Sequence, residues 1–340
     1  MLTQIGIQRY KSLFDVTIDL GPLTVFIGPN GSGKSNVCEA LFVSSVIIDE
    51  NPTLRNTASR FSDQSEDFSN KYWQGQTDTS IKFFVVAEAA SKVEKRTIIF
   101  PQENILTIIA GQGETPVISQ SLRRVAIYDF NPALLTQVSE ATSPLTSTGF
   151  GVANALTDIL FDNRERFDEL EARLTQLVPN ISRIALKQER ANGHIQNILR
   201  LADKYSNHLI PASDISDGTF RILAFLAALY QTDTPSIICF EEPENGVHPW
   251  LLHKMIELLN VVSTEGIGGQ PVQVLITTHS PVLLNYVKPE QVRAVEMDDE
   301  GKTQIHALPV ETNRFQAAME AYDGELGELW FTNLFGGNPE

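Results

Sequence analysis

Three short β-prone runs open the chain, Leu2 to Tyr10, Val16 to Leu20 and Leu23 to Ile27, separated by Lys11-Ser12 and Gly21-Pro22. The third enters a glycine-rich loop, after which the pattern from Lys34 to about Ile48 becomes helical. Pro52 to Asp78 is polar, rich in Ser, Asn, Asp and Gln, and reads as a surface excursion. Strand-like runs at Ile81 to Ala87, Thr97 to Phe100, Ile105 to Ile109 and Val125 to Tyr128 predict an antiparallel subsheet, with Gly111-Gln-Gly113 as a turn. Thr142 to Gly151 is a Ser/Thr/Pro/Gly linker. Beyond it, Val152 to Leu177 and Asn192 to Tyr205 carry helical apolar spacing, interrupted by Pro179 and the β-prone Ile181 to Leu186. An α/β alternation follows: helix Thr219 to Tyr230, buried strand Ser236 to Phe240, helix Trp250 to Ser263, strand Val272 to Thr277. A hairpin-like pair, Val292 to Met297 and Gln304 to Leu308, and a small helical tail complete the pattern.

Composition narrows the class. With 340 residues, 42% hydrophobic and 20% charged, the chain is globular in type, which excludes collagen-like, disordered and disulfide-scaffold classes. No apolar run reaches the ~18 residues of a membrane span. The opening Met1-Leu-Thr-Gln-Ile lacks a basic region followed by an apolar one, so a cytoplasmic protein without a membrane partner is expected. Against 42 acidic residues stand 26 Lys and Arg, a net charge of −16, the opposite of a free-standing nucleic-acid binder. Cys38 and Cys239 lie in apolar surroundings and read as small core residues in a reducing compartment.

The chemistry concentrates in four places. Gly28-Pro-Asn-Gly-Ser-Gly-Lys-Ser35 fits G-x-x-x-x-G-K-[ST] and lies between a strand and a helix, as a phosphate loop must. Its glycines let the backbone N–H groups turn toward phosphate oxygens. In that reading Asn30, Gly31, Ser32, Gly33, Lys34, Ser35 and Asn36 hold ATP, Lys34 reaching the β- and γ-phosphates and the Ser35 hydroxyl ligating Mg²⁺. Ser236 to Glu244 is an apolar strand ending in paired carboxylates, where Glu241 would hold the metal and Glu242 would polarise the attacking water. Val274 to Pro281 is another apolar strand, ending in His279, placed to sense the γ-phosphate. Between the loop and the acids, Ile215-Ser-Asp-Gly-Thr219 precedes an amphipathic helix, so that Ser216 and the N–H groups of Gly218 and Thr219 form a capped, anion-accepting N-terminus.

These four ordered motifs, spread over residues 28 to 281, resemble an ABC-type ATPase of the branch that includes RecF, the structural-maintenance-of-chromosomes (SMC) proteins and the OLD ATPases. The opening Ile7-Gln-Arg-Tyr-Lys-Ser-Leu-Phe-Asp-Val is similar to that family's first strand and basic loop. The resemblance implies an α/β P-loop NTPase with an ABC head, an antiparallel β-subsheet and a helical insertion. It implies that Lys11 approaches the nucleotide, a residue that by itself reads equally as a solvated turn. Ser216 and Gly218 would be the signature facing the nucleotide of a second copy, Asn245 and Gly246 would sit at the dimer seam, and Gln74 is the candidate for the Q-loop. His248 is open between seam, cap and core. Two departures, Asp217 for the first signature glycine and Glu241 for the usual Walker B aspartate, resemble the stand-alone OLD-like group; a carboxylate at 217 repels a γ-phosphate unless it turns away.

The expected organisation is residues 1–140 as a first ATPase lobe, 141–210 as the helical insertion, 211–310 as a second lobe with signature, Walker B and switch histidine, and 311–340 as a tail. The 182 residues from Lys34 to Ser216 leave no room for long coiled-coil arms, and about forty residues after Met297 are too few for the nuclease domain of full OLD proteins. The resemblance implies an ATP-sandwiched homodimer that controls a separately encoded effector, as in phage defence. The alternative is a DNA-binding, RecF-like repair ATPase, for which Arg183, Lys187, Arg190, Arg200 and Lys204 would supply the patch. Tyr322 to Phe331 reads as a docking surface or as a strap over the core.

Overall fold

A computed structural model describes residues 1–48, 81–89, 92–100, 116–191 and 193–337. The chain divides into two compact units: Met1–Ile127 with Pro235–Glu242 and Val272–Glu340, and Tyr128–Thr234 with Pro243–Pro271.

The first unit is built on two sheets. Strands β1 (Leu2–Tyr10), β2 (Leu13–Asp19), β4 (Ile81–Ala89) and β5 (Lys92–Phe100) form an antiparallel sheet in the order β2-β1-β4-β5. The second, in the order β13-β12-β3-β11-β10-β6, contains β3 (Leu23–Ile27), β6 (Val125–Tyr128), β10 (Ile237–Glu241), β11 (Gln273–Thr278), β12 (Val292–Met297) and β13 (Thr303–Ala307). Its centre is parallel: β12, β3, β11 and β10 pair in one direction, while β13 returns antiparallel on β12. All five residues of β3 and all six of β11 are buried, as expected of parallel strands covered on both faces. The Lys34–Ile48 helix packs its Val37, Cys38, Ala40 and Leu41 into a core shared with Ile5, Ile7 and Phe83 of the antiparallel sheet and Cys239 and Leu275 of the parallel one.

The second unit holds the Val152–Asp162 and Arg164–Leu177 helices, then an antiparallel sheet of β7 (Ile181–Ala191), β8 (His194–Asp203) and β9 (Leu209–Pro211), then the Asp217–Leu229 and Pro249–Thr264 helices. Asn163 caps the second helix by accepting from the Arg166 amide at 3.0 Å. Buried Asn154 donates to Ser139 Oγ and to the carbonyls of Glu140 and Ser143, pinning the linker to the first helix.

Two sequence expectations are corrected. The helix expected over Asn192 to Tyr205 is instead strand β8 from His194 to Asp203. Ile195, Ile198, Leu199 and Ala202 fall at 3, 4 and 7 residue steps, but Asn197, Leu199 and Leu201 also alternate, and they make the buried face opposite Ile184 and Leu186. Gly193, at φ +84°, occupies the turn that permits the hairpin. Val125 to Tyr128 does not join the antiparallel subsheet; it edges the parallel sheet beside β10, where the Ser236 amide donates to the Arg124 carbonyl at 2.9 Å. Ile105 to Ile109, the Gly111–Gly113 turn and Gln74 lie outside the described residues.

The tail is a strap in part. Leu326, Leu329 and Trp330 of the Leu326–Phe331 helix are buried, and the Gly327 amide donates to Asn285 Oδ1 at 2.6 Å. Gly327 has no room for a side chain, since a Cβ would stand 2.2 Å from the Pro281 carbonyl oxygen. Among the described residues no helix is long and apolar enough to cross a membrane.

Candidate functional site

In the first unit, parallel pairing brings three strand ends together. Glu241 pairs with Thr277, and Thr277 with Phe26, so β3, β11 and β10 deliver the loop after Ile27, the His279 turn and the paired acids at one edge of the sheet. The loop's shape depends on glycine in two ways. Gly31 and Gly33 have φ of +77° and +102°, where other residues are strained. Gly28 and Gly33 are also close-packed: a Cβ on Gly28 would lie 2.0 Å from the Val295 carbonyl oxygen, and one on Gly33 would lie 2.1 Å from Thr303 Oγ1.

Lys34 is 6% exposed, and its ammonium donates to the carbonyls of Gly28 and Pro29, each at 2.8 Å. A buried cation inside a loop of this backbone shape fits a phosphate chain. The Ser35 hydroxyl donates to Glu241 Oε2 at 3.0 Å across 206 residues of sequence. One hydroxyl and one carboxylate, both hard oxygen donors, fit Mg²⁺, which keeps much of its water and takes few protein ligands. Ser32 Oγ is buried and has no hydrogen-bond partner, while Asn30 is exposed at the loop's outer edge.

Glu242 follows directly. Its φ of +44° lies in the left-handed region, at a cost of about 1–2 kcal/mol for a residue with a Cβ. Its amide donates to the Thr277 carbonyl at 2.9 Å, the last ladder bond of β10 to β11, and its Oε1 stands 3.2 Å from His279 Nδ1. Both side chains are part-exposed, so a water has access to the carboxylate. The pair can do general-base chemistry, with the imidazole orienting the carboxylate.

Lys11, at φ +49°, forms an ion pair with Glu39, one turn beyond Ser35 on the loop helix. Tyr10 OH donates to the same carboxylate at 3.3 Å, and burial together with Glu39 pushes its hydroxyl well above the usual tyrosine range. Asn36 Nδ2 donates to Ser12 Oγ at 2.8 Å, so its amide serves the β1–β2 turn. Cys38 and Cys239 are both free and buried; their contact and burial push the Cys38 thiol up, keeping it protonated.

In the second unit Ser216 caps the Asp217–Leu229 helix, its Oγ accepting from the Thr219 amide at 3.3 Å. Gly218 backs onto the turn after the acids, where a Cβ would lie 2.7 Å from the Gly246 carbonyl oxygen, placing the residue next to Asn245 against the start of the Asp217–Leu229 helix. Sequence reading missed Arg221. One turn after Asp217, its guanidinium is half-buried, and burial lowers its pKa against the opposing pull of Asp129 and Asp217. The i, i+4 spacing of Asp217 and Arg221 on one helix face was the available signal. His248 is a cap, its Nδ1 accepting from the Trp250 amide at 3.3 Å. Of the five cations after the linker, Arg183, Lys187 and Arg200 share one face of the β7–β8 hairpin and Arg190 faces the other way. Glu189 lies among the three, its carboxyl lowered first by the Lys187 hydrogen bond and then by Arg200.

Comparison with known proteins agrees with this fold. An SMC head bound to the C-winged helix domain of ScpA superposes over 91% of this chain and 98% of its own, with a TM-score of 0.61 at 14% identity. The SMC head domain from Thermotoga maritima gives 0.54 at 13% identity, covering 91% of this chain and 99% of its own. The Smc head from Pyrococcus furiosus with an extended coiled coil, bound to the C-terminal domain of ScpA, gives 0.59 at 11% identity, covering 95% and 98%. An OLD nuclease of Thermus scotoductus (strain ATCC 700910 / SA-01) is 38% identical over 56 residues, 16% of this chain and 10% of that protein, so the match spans about a tenth of the relative. Residues 23–285 match the family AAA_21, described as "AAA domain, putative AbiEii toxin, Type IV TA system". The chain therefore belongs to this AAA family and has the P-loop fold of the ABC, SMC and OLD type of ATPase.

Proposed function

We propose that this protein is an ATP-binding and ATP-hydrolysing dimerisation switch that controls a separately encoded effector of the kind found in phage-defence loci. The observation that carries the ATPase reading is the contact between Ser35 Oγ and Glu241 Oε2, because it joins the phosphate loop to the strand whose next residue is Glu242. Lys34 binds the phosphate chain from within the loop, and Glu242 takes the proton of the attacking water. His279 holds the Glu242 carboxylate toward that water. A Mg²⁺ held by Ser35 and Glu241 would supply charge neutralisation on the phosphate oxygens. The Ser216 to Thr219 helix start suits the γ-phosphate of a second copy.

Control of an effector rests on the toxin named in the family's description, on the OLD nuclease match and on the net charge of −16. A second reading, DNA binding, is favoured by the shared hairpin face of Arg183, Lys187 and Arg200. Phosphate release by the wild type, lost in Lys34→Ala, tests the enzymatic reading. Salt-sensitive DNA binding that needs those three cations would favour the second.

A further inference from the structure

We propose that Thr303, at the start of β13, is a positioning residue that sets the orientation of the phosphate loop. It is 1% exposed, and its amide donates to the Ser12 carbonyl at 2.9 Å. Its Oγ1 lies 2.8 Å from the Ser32 carbonyl oxygen and 2.7 Å from Ser12 Oγ. A hydroxyl has one proton, and a carbonyl only accepts. Thr303 Oγ1 is the donor toward both oxygens, so its proton is shared between the Ser32 carbonyl and Ser12 Oγ, and Ser12 Oγ also accepts from Asn36 Nδ2 at 2.8 Å. The result is a hydrogen-bonded cluster of Asn36, Ser12 and Thr303 that ends on the Ser32 carbonyl.

The consequence follows from the peptide plane. In a trans peptide the carbonyl and the following amide point in opposite directions. Drawing the Ser32 carbonyl toward Thr303 turns the Gly33 N–H away from the hairpin, as an amide that binds phosphate requires. The fit is close, since any Cβ on Gly33 would meet Thr303 Oγ1 at 2.1 Å and Ser12 Oγ at 2.8 Å. Gly28 rests on the same hairpin through the Val295 carbonyl. The β12–β13 hairpin is thus the floor of the loop, and Thr303 is its one hydrogen-bonding contact to the Ser32–Gly33 peptide among the described residues.

This inference rests on the nucleotide reading above, so its test has one readout that needs no nucleotide. Amide hydrogen exchange is measured on the nucleotide-free wild type, Thr303→Val and Thr303→Ser, alongside binding of a fluorescent ATP analogue. The expected result is exchange at residues 28–36 at least tenfold faster in Thr303→Val only, with analogue affinity down about tenfold and Thr303→Ser within twofold of wild type. Unchanged exchange at the loop in Thr303→Val overturns the proposal, as does equal loss in the valine and serine variants, which would assign the effect to packing. If the analogue fails to bind the wild type while loop exchange still answers to Thr303→Val, the nucleotide reading fails and the positioning role stands.

Discussion

Glu242 Oε1 lies 3.2 Å from His279 Nδ1, at the adjoining ends of two parallel strands. Neither residue reaches the other by local sequence; β10 and β11 bring them together. Glu242→Gln is expected to lower kcat by about 10²–10⁴-fold while ATP still binds, the range for a lost general base. His279→Ala is expected to cost less, and the double variant no more than Glu242→Gln alone, because a residue that works through Glu242 adds nothing once it is gone. Steady-state phosphate release on the three variants measures this.

The left-handed backbone at Glu242 predicts an unusual stability ranking. Glu242→Gly and Glu242→Ala both lack the carboxylate, yet only alanine has a Cβ strained at φ +44°. The glycine variant is expected to be the more stable by about 1 kcal/mol, the reverse of the usual order away from such sites. Urea unfolding of the two proteins side by side checks it.

The glycines of the loop are expected to separate in the same assay. Nothing lies within 4 Å of a Cβ added to Gly31, so Gly31→Ala meets only the cost of φ +77°, about 1 kcal/mol. Gly28→Ala would place its Cβ 2.0 Å from a backbone oxygen that cannot swing aside, and a loss of roughly 3 kcal/mol or more is expected.

Acid should weaken the hairpin beneath the loop. Asp298 accepts from the Lys302 and Glu300 amides and from Gln304, and these bonds, the Lys302 amide first, hold its carboxyl below the ordinary 3.8. Its folded pKa is depressed, so its contribution is complete above the unfolded value and is lost as pH falls through the lower, folded one. The melting-temperature gap between wild type and Asp298→Asn is expected to be constant from pH 7 down to about 5 and to narrow below pH 3.8.

Much of the site was legible because its elements are short-range. Gly28 to Ser35 is one contiguous motif, and β3, β10 and β11 are unbroken apolar runs that end at their chemistry. β8 was misread because Ile195, Ile198, Leu199 and Ala202 satisfy a helical period as well as an alternating one, and the pairing with β7 decides between them. The partner of Val125 to Tyr128 was hidden for a related reason: four apolar residues state no pairing. Thr303 was invisible altogether, since its bond to Ser12 spans 291 positions and neither residue type is distinctive.

The central claim, a nucleotide-dependent dimer, is tested most directly by the solution mass of Glu242→Gln with and without Mg-ATP. The expected result is a monomer that becomes a dimer on adding ATP, with the shift abolished by Ser216→Arg at the capped helix start. A protein that binds ATP saturably yet stays monomeric at every concentration would contradict it.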